Sequence, residues 1–514
     1  MSINMSEQDI QMIIQSVMKN IESALGNSQT KEEIDPIQQP IKLKPASHPQ
    51  SIASNEPPSK LRDGVFSRME DAIEAAHKAQ IKYVKKYQMR DREQILQSIR
   101  TIILKEKETL ARMVHEETGI GRYEDKVAKH ELAAAKTPGT EVLKIDAYSG
   151  DEGLTIVEKA PFGLIGAVTP VTNPTETIIN NTISMLAAGN AVVFNVHPSS
   201  KNSCKYVVSL INKAIQTVNG PSNLVAMVEN PTLETLQVLM DDTRVRMLVG
   251  TGGPGLVKTL LKSGKKAVGA GAGNPPVLVD DTADMEQAAK SIIAGASFDN
   301  NLLCIAEKEV FVLNSAADDL IFNMLSQGAY MLDHQQLEQI MSFALEENLY
   351  EESRGCSLNN KRDYHVAKDW VGKDAALFLE KIGVKPPHNV KLLVCEVGFS
   401  HPFVQLEQMM PILPIVRVKD LQEGIDLAVQ AEHGNRHTAI MHSKNVDALT
   451  AFARAIDTTI FVKNASSLAG VGYGGEGHTT MTIAGPTGEG ITSAQTFTRE
   501  RRCVLAEGGF RIIG

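Results

Sequence analysis

Short apolar runs alternate with helix-length stretches through the greater part of this sequence. A charged, helical pattern covers Phe66 to about Ala135. A strand-like run at Leu154–Val157 follows, ahead of Pro161. Leu164–Val168 reads as a strand and residues 174–188 as a helix. Ala191–Val196, Leu224–Val228 and Met247–Val249 read as further strands with helices between them. A second alternating block runs from Pro276 to about Val462, with strands at Pro276–Val279 and Lys308–Leu313 around a helix at Asp284–Ala296. Apolar runs separated by helices predict parallel sheet covered by helical layers. At roughly 150 residues per domain, 514 residues leave room for about three such units, or two large ones with attachments.

Composition narrows the class. There are 52 Lys and Arg against 61 Asp and Glu, a formal net charge of −9. That balance argues against a general nucleic-acid binder or a membrane-surface protein, since both need basic faces. Hydrophobic residues make up 42%, enough for a large core. No apolar run approaches the roughly 18 residues of a membrane span. The five cysteines (Cys204, Cys304, Cys356, Cys395 and Cys503) form no close pairs. This suits neither a disulfide framework nor a Cys-rich metal module; no metal site and a reducing compartment are expected.

Two local features mark candidate chemistry. Gly250-Thr251-Gly252-Gly253-Pro254-Gly255 follows an apolar run and precedes a helical stretch at Leu256–Lys262. In such a strand–turn–helix a pyrophosphate can sit at the helix start. Gly253 and Pro254 depart from the usual fingerprint, and glycine-rich turns are common in α/β proteins. The second feature is the polar, turn-like stretch from Phe298 to Cys304, near the junction of the two blocks. Such a junction is the usual place for a ligand cleft. Taken alone, Cys304 also fits a buried structural thiol, and Asn173 a turn residue before Pro174.

The first 65 residues look different: no Phe, Trp or Tyr precedes Phe66. Ser6-Glu7-Gln8-Asp9 reads as an N-cap with an acid at the third helical position. Ile10, Ile13, Ile14, Val17, Met18, Ile21 and Leu25 then form one apolar stripe, and Gly26 can end the helix. Residues 27–60 carry six Pro among Ser, Gln, Asn and Lys, which is linker composition. The segment lacks the basic start and continuous apolar core of a secretory signal. A lone apolar stripe on a tether needs a groove, on its own body or on another protein. Few basic residues flank it, so a membrane fits less well.

A series of motifs runs in order through residues 62–514. It comprises Thr169-Pro170-Val171-Thr172-Asn173-Pro174, the run Gly-Asn-Ala-Val-Val-Phe-Asn-Val-His-Pro-Ser ending at Ser199, and Gly250-Thr251-Gly252-Gly253-Pro254. Gly271-Ala272-Gly273-Asn274-Pro275, Asn300-Asn301-Leu302-Leu303-Cys304, Glu407-Gln408-Met409-Met410-Pro411 and His437-Thr438-Ala439-Ile440-Met441-His442-Ser443 complete it. Together these resemble the aldehyde dehydrogenase superfamily, and within it the CoA-acylating branch associated with bacterial microcompartments, which acts on propionaldehyde or acetaldehyde.

The resemblance implies an α/β fold with two Rossmann-like lobes, a β-strand oligomerisation extension and a tethered N-terminal amphipathic helix. It implies Cys304 as nucleophile, because thiolate sulfur can attack a carbonyl carbon and later leave. The other four cysteines are read as bystanders. Asn173 matches the oxyanion donor, acting with the Cys304 backbone N–H. Thr169, Pro170, Val171, His197, Pro198, Ser199, Gly250, Thr251, Gly252, Gly271, Gly273 and Glu407 fall at positions implied to bind NAD+/NADH, with Glu407 on the nicotinamide ribose. His437 and His442 lie in a stretch implied to touch substrate or coenzyme A, the co-substrate.

Two departures from the wider superfamily are informative. Hydrolytic members carry Glu-Leu-Gly-Gly where this chain has Ala270-Gly271-Ala272-Gly273, so the base that activates water is missing. A CoA thiol, with its far lower pKa, needs less help. His197 replaces the Lys that contacts the adenosine ribose, which implies an altered grip on the cofactor. The rival readings are a hydrolytic aldehyde dehydrogenase, an acyl-phosphate reductase and a catalytically idle cargo or scaffold protein. Ala270 speaks against the first, phosphate dependence would expose the second, and intact Asn173 and Cys304 oppose the third.

The implied organisation is an encapsulation-type helix (1–25), a disordered linker (26–60), a cofactor-binding domain (61–270, with oligomerisation strands at 149–160), a catalytic domain (271–484) and an oligomerisation tail (485–514). The implied partners are a short-chain aldehyde, CoA, shell or cargo proteins through residues 1–25, and copies of the chain in a dimer or dimer of dimers. Nucleic acid and membrane are not expected. The implied location is the bacterial cytoplasm, inside a microcompartment. Deleting residues 1–25 is expected to leave aldehyde oxidation intact while abolishing co-purification with shells. Loss of folding would instead assign the helix to the enzyme's own core.

Overall fold

The computed structural model describes residues 60–347 and 364–507. The expected helix over 1–25, the linker up to residue 59, Cys356 and the tail beyond residue 507 lie outside the described residues.

Strands β1 (Lys60–Arg62) and β2 (Val65–Phe66) come first, and β3 (Asp146–Gly150) and β4 (Gly153–Pro161) form a hairpin. β5 (Leu164–Val168), β6 (Ala191–Asn195), β7 (Val225–Val228), β8 (Val245–Thr251) and β9 (Lys266–Ala270) follow. The first seven-stranded sheet has the order β1-β2-β7-β6-β5-β8-β9, and every pair from β2 onward is parallel.

The chain then enters a second sheet through β10 (Pro276–Val279), β11 (Glu309–Leu313) and β12 (Tyr330–Met331). A small antiparallel pair, β13 (Leu345–Glu347) and β14 (Tyr364–Val366), interrupts it. β15 (Leu393–Glu396), β16 (Ile412–Val418), β17 (Thr438–His442) and β18 (Ile460–Lys463) complete the parallel order β12-β15-β16-β11-β10-β17-β18. β5, β6, β7, β10 and β17 are buried at every residue, as parallel strands covered on both faces must be.

Strand β8 runs further than its apolar run alone predicts: Gly250 and Thr251 belong to the strand rather than to the turn. The helix Pro254–Leu261 starts immediately after, with Pro254 at a position where a missing N–H costs nothing. It lies close on the sheet: a methyl on Gly250 would collide with Leu260, and one on Gly269 with Val257.

Helix Pro174–Ala187 is buried at every position despite its Thr, Asn and Glu content. Several of its polar side chains are paired internally, while Glu176 Oε1, Asn181 Nδ2 and Thr182 Oγ1 are buried without a hydrogen-bond partner. Asn180 donates to Thr137 Oγ1 (2.9 Å) and accepts from the Met481 N–H (3.0 Å), and Thr482 donates to Asn181 (3.1 Å). The helix therefore acts as a polar pin through the centre of the fold rather than as an amphipathic cover.

Two parallel sheets place the motifs in a simple way. Thr169–Asn173, His197–Ser199, Gly252 and Gly271 each follow a strand of the first sheet, β5, β6, β8 and β9, at its carboxyl edge. Gly273, Cys304, Glu407 and His437 each precede a strand of the second, β10, β11, β16 and β17, at its amino edge. The order of the first sheet reverses between β5 and β8, the topological switch point where α/β sheets bind ligands.

After a short antiparallel pair, β19 (Ile483–Ala484) and β20 (Gly490–Ile491), the tail forms β21 (Thr498–Ala506). It pairs antiparallel with β4 from Thr498 opposite Pro161 to Ala506 opposite Gly153, giving a three-stranded sheet β21-β4-β3. Ile145 beside it, Tyr148 on β3 and Val504 on β21 are about three-fifths exposed. Among the described residues no helix is long and apolar enough to cross a membrane.

Candidate active site

The loop into β11 is unusual backbone. Asp299, Asn300 and Asn301 all have positive φ, at 48°, 55° and 66°. Asx residues tolerate this region better than other L-residues, but three in succession must be held by their surroundings. The Asp299 N–H donates to Asp125 Oδ2 (2.9 Å). Asn300 Nδ2 donates to Gly372 O (2.9 Å) and Asp374 Oδ1 (2.8 Å). Asn301 Nδ2 donates to Ala296 O and Glu307 O, each at 2.9 Å. Buried Lys308 donates to Asn301 O (2.9 Å) and Leu303 O (3.3 Å). The two Asn residues before the cysteine thus shape the loop that presents Cys304.

Cys304 is partly exposed, on a cleft with Asn173 and Lys129 in its wall. The space measures about 450 Å³ including its open mouth, and Leu132, Phe298, Leu303, Leu468, Tyr473 and Met481 make it mostly apolar. Among the described residues lining it, none is a carboxylate. Burial pushes the Cys304 thiol up to about 12, and the Glu407 carboxylate adds to the effect. Lys308 and the backbone N–H groups of Cys304 and Ile305 work the other way. The cysteine is therefore a thiol at neutral pH in the chain without bound partners.

Asn173 precedes helix Pro174–Ala187 and is 8% exposed. Its Oδ1 accepts from Lys129 Nζ at 2.7 Å, and its Nδ2 donates to Thr172 Oγ1 at 3.3 Å. Lys129 Nζ also donates to Asp299 Oδ2 at 2.5 Å and lies 3.3 Å from Glu176 Oε1. Lys126 Nζ reaches the same Asp299 oxygen at 3.3 Å. Burial opposes a charge on Lys129, but Asp299 and Glu176 outweigh it and raise its pKa. Burial alone would raise Glu176; Lys129, His130 and Lys126 override it and hold the carboxyl at about 2.

Gly273 packs between the nucleophile loop and His437: a methyl there would lie 2.6 Å from the Cys304 carbonyl oxygen and 2.9 Å from His437 Cγ. The Gly273 N–H donates to Glu407 Oε1 (3.2 Å), and burial raises that carboxyl. His437 contacts Thr438 Oγ1 through Nδ1 (2.9 Å), while its buried Nε2 has no partner. Burial, then Lys308, lowers its pKa to about 4, so the ring is neutral. His442, expected near substrate or CoA, ends β17 at the opposite edge of the sheet, about 17 Å of strand away. The structure brings His437 to Cys304 and leaves His442 apart.

The remaining expected residues surround the carboxyl edge of the first sheet. His197, Pro198 and Ser199 are exposed after β6, where His197 Nδ1 accepts from the Ser199 N–H at 3.2 Å. Thr169 is buried, with its Oγ1 unpartnered, and Pro170 and Val171 are half-buried. Thr251 Oγ1 meets Thr482 Oγ1 at 3.1 Å, and the Gly252 N–H donates to Ala270 O at 3.0 Å. A methyl on Gly271 would lie 3.1 Å from Pro486. Of the other cysteines, Cys204 and Cys395 are buried and Cys503 is exposed on β21.

Residues 50–487 match the aldehyde dehydrogenase family. The chain belongs to the aldehyde dehydrogenase family. It is 43% identical over 510 residues to the acetylating acetaldehyde dehydrogenase of Salmonella typhimurium, covering 99% of this chain and 100% of the relative. It is 45% identical over 446 residues to the CoA-propanoylating propanal dehydrogenase of the same organism, covering 87% and 92%. A propionaldehyde dehydrogenase from the Clostridium phytofermentans fucose utilisation microcompartment superposes with a TM-score of 0.82 at 48% identity, covering 87% of this chain and 100% of that one. The Rhodopseudomonas palustris propionaldehyde dehydrogenase, solved with CoA and an acylated cysteine, gives 0.82 at 50%, covering 88% and 100%. The two Salmonella relatives are named for acyl transfer to CoA, one as acetylating and the other as CoA-propanoylating.

Sequence reasoning missed Lys126, Lys129, Asp299 and Lys308. A signal was present for the first two. Lys126 and Lys129 share the face of helix Tyr123–Lys136 that also carries buried Leu132 and Ala133, and a lysine on an apolar face needs a buried partner. The raised thiol makes a direct prediction. In the chain without cofactor or aldehyde, alkylation of Cys304 by iodoacetamide should rise about tenfold per pH unit from about pH 7 to 10, without a plateau. Peptide mass spectrometry reads this site by site. A plateau near the ordinary thiol range, about 8.5, would contradict it.

Proposed function

We propose that this chain oxidises a short-chain aldehyde to its acyl-CoA through a thioester on Cys304. The observation that carries this reading is the cleft: it joins Cys304 and Asn173 in an apolar wall that includes no carboxylate among the described residues. Ala270 ends β9 on the segment that leads to Gly273 and the Cys304 carbonyl. Nothing in that wall deprotonates water, so a thiol is the better acyl acceptor.

In the first step the Cys304 sulfur bonds to the carbonyl carbon as its proton leaves. That proton passes to solvent at the open mouth of the cleft, because His437, held at about 4, is too weak a base to take it. The resulting alkoxide is held by Asn173 Nδ2 and the Cys304 N–H, donors of a kind worth about 3–4 kcal/mol each. Thr169–Val171, His197–Ser199, Gly250–Gly252, Gly271, Gly273 and Glu407 would hold NAD+. The buried, unpartnered Thr169 hydroxyl and the open turn at the switch point fit such a group. NAD+, when bound, supplies the hydride acceptor that turns the thiohemiacetal into a thioester. The CoA sulfur then attacks that thioester, its proton is lost, and Cys304 departs as thiolate.

The acetaldehyde and propanal named for the relatives make C2 and C3 aldehydes the substrates to compare. One methylene changes discrimination by only about 1–3 kcal/mol. The microcompartment origin of one solved relative supports confinement in a shell, with residues 1–25 as the address. The exposed apolar residues of the β21-β4-β3 sheet serve to join copies of the chain.

Cys304→Ala is expected to abolish aldehyde-dependent NADH formation, and the parent enzyme should release little free acid when CoA is omitted. NADH formation by the variant near the parental rate, or CoA-independent acid production, would refute the mechanism. Deleting residues 498–514 should lower the oligomer order by light scattering; an unchanged mass would place the interface elsewhere.

A further inference from the structure

Lys129 is 1% exposed, on the helix Tyr123–Lys136. Its ammonium has three protons to place. Nζ donates to Asp299 Oδ2 at 2.5 Å, to the neutral amide oxygen Asn173 Oδ1 at 2.7 Å, and more weakly to Thr172 O at 3.4 Å. Glu176 Oε1 stands 3.3 Å from Nζ, further than either of the first two oxygens. A lysine placed only to neutralise buried acids would approach both carboxylates more closely than a neutral amide oxygen. This one points at a carboxylate and at the Asn173 amide.

Two consequences follow for Asn173. With Oδ1 engaged by Lys129, the NH2 end of the amide is the end left for the cleft that Cys304 shares. The described contact of Nδ2 is the long one to Thr172 Oγ1 at 3.3 Å, which leaves the second N–H to donate. A cation on the amide oxygen also draws charge from the nitrogen and strengthens its N–H as a donor. The same Nζ grips Asp299 in the nucleophile loop, so one atom anchors the donor and the loop together.

We propose that Lys129 is a positioning residue that fixes which end of the Asn173 amide faces the carbonyl and polarises its N–H toward the forming alkoxide. The proposal rests on the reading of Asn173 as oxyanion donor. Lys129 itself need not touch the substrate.

A double-mutant cycle on the full chain, read as single-turnover NADH formation, tests both ideas separately. Asn173→Ala should slow that step about 100-fold. Lys129→Met and Lys129→Gln should each lower kcat by a similar factor with the aldehyde KM changed less than about threefold. The Lys129→Met, Asn173→Ala pair should be within about twofold of the slower single variant, because a residue acting through Asn173 has nothing left to act on. Alkylation of Cys304 by iodoacetamide should stay within about threefold of the parent, because Lys126 and the Arg122 N–H still hold Asp299 and with it the loop. Additive losses, a matching loss of Cys304 alkylation, or failure of both Lys129 variants to fold would overturn the proposal and make Lys129 a core ion holder. Parental NADH formation by Asn173→Ala would instead overturn the oxyanion reading itself.

Discussion

A buried carboxylate, Asp299, carries much of this architecture. Its side chain accepts from the Arg122 N–H at 2.7 Å and from Lys126 and Lys129, while its own N–H donates to Asp125. Asp299, Lys126 and Lys129 are buried, and Arg122 and Asp125 are half-buried at the rim. Charges taken out of water are tolerated only when each is paired and hydrogen-bonded, and removing one partner of such a set typically costs about 3–5 kcal/mol. The set thereby locks helix Tyr123–Lys136, the entry to helix Pro174–Ala187 and the nucleophile loop into one arrangement. The left-handed run from Asp299 to Asn301 persists because these partners over-determine it.

The second organising constraint is the direction of parallel strands. Asn173, which follows a strand of the first sheet, and Cys304, which precedes a strand of the second, are brought to one cleft. The connection from β9 through Gly271 and Gly273 to β10 crosses between the two sheets. Gly273 is small because Cys304 and His437 crowd it, not because its backbone is strained. The same logic separates the two histidines of one motif. His437 stands before β17 and His442 ends it, so five residues of extended chain put them at opposite edges.

The electrostatics of the site is a balance of burial against a few fixed charges. Burial keeps the Cys304 thiol and the His437 ring neutral, and it raises Glu407. Lys308, beneath the loop, is the counter-charge that moderates both Cys304 and Glu407. Neutral reactants in a mostly apolar wall suit chemistry in which charge appears only as the alkoxide forms. That is where preorganised donors act most strongly.

The alternation of apolar runs determined the class of fold, because only parallel strands covered on both faces need strands apolar throughout. The motifs, read in order, pointed to Cys304 as the nucleophile and Asn173 as the amide donor. Ala270 in place of a glutamate pointed to a thiol as acyl acceptor, since a missing side chain is visible in a string of letters. Local pattern reached less far where partners are distant in sequence. The helix from Pro174 was legible as a helix, yet its burial on every side was not, because Asn180 and Asn181 Oδ1 find their partners in Thr137 and in residues 481 and 482. The limits of β8 were displaced because glycine gives no apolar signal inside a strand. Lys129 read as one more charge on a charged helix. Only the tertiary structure set its ammonium between Asn173 and Asp299, 44 and 170 positions further along the chain, since three-dimensional proximity leaves no trace in the spacing of residues so far apart.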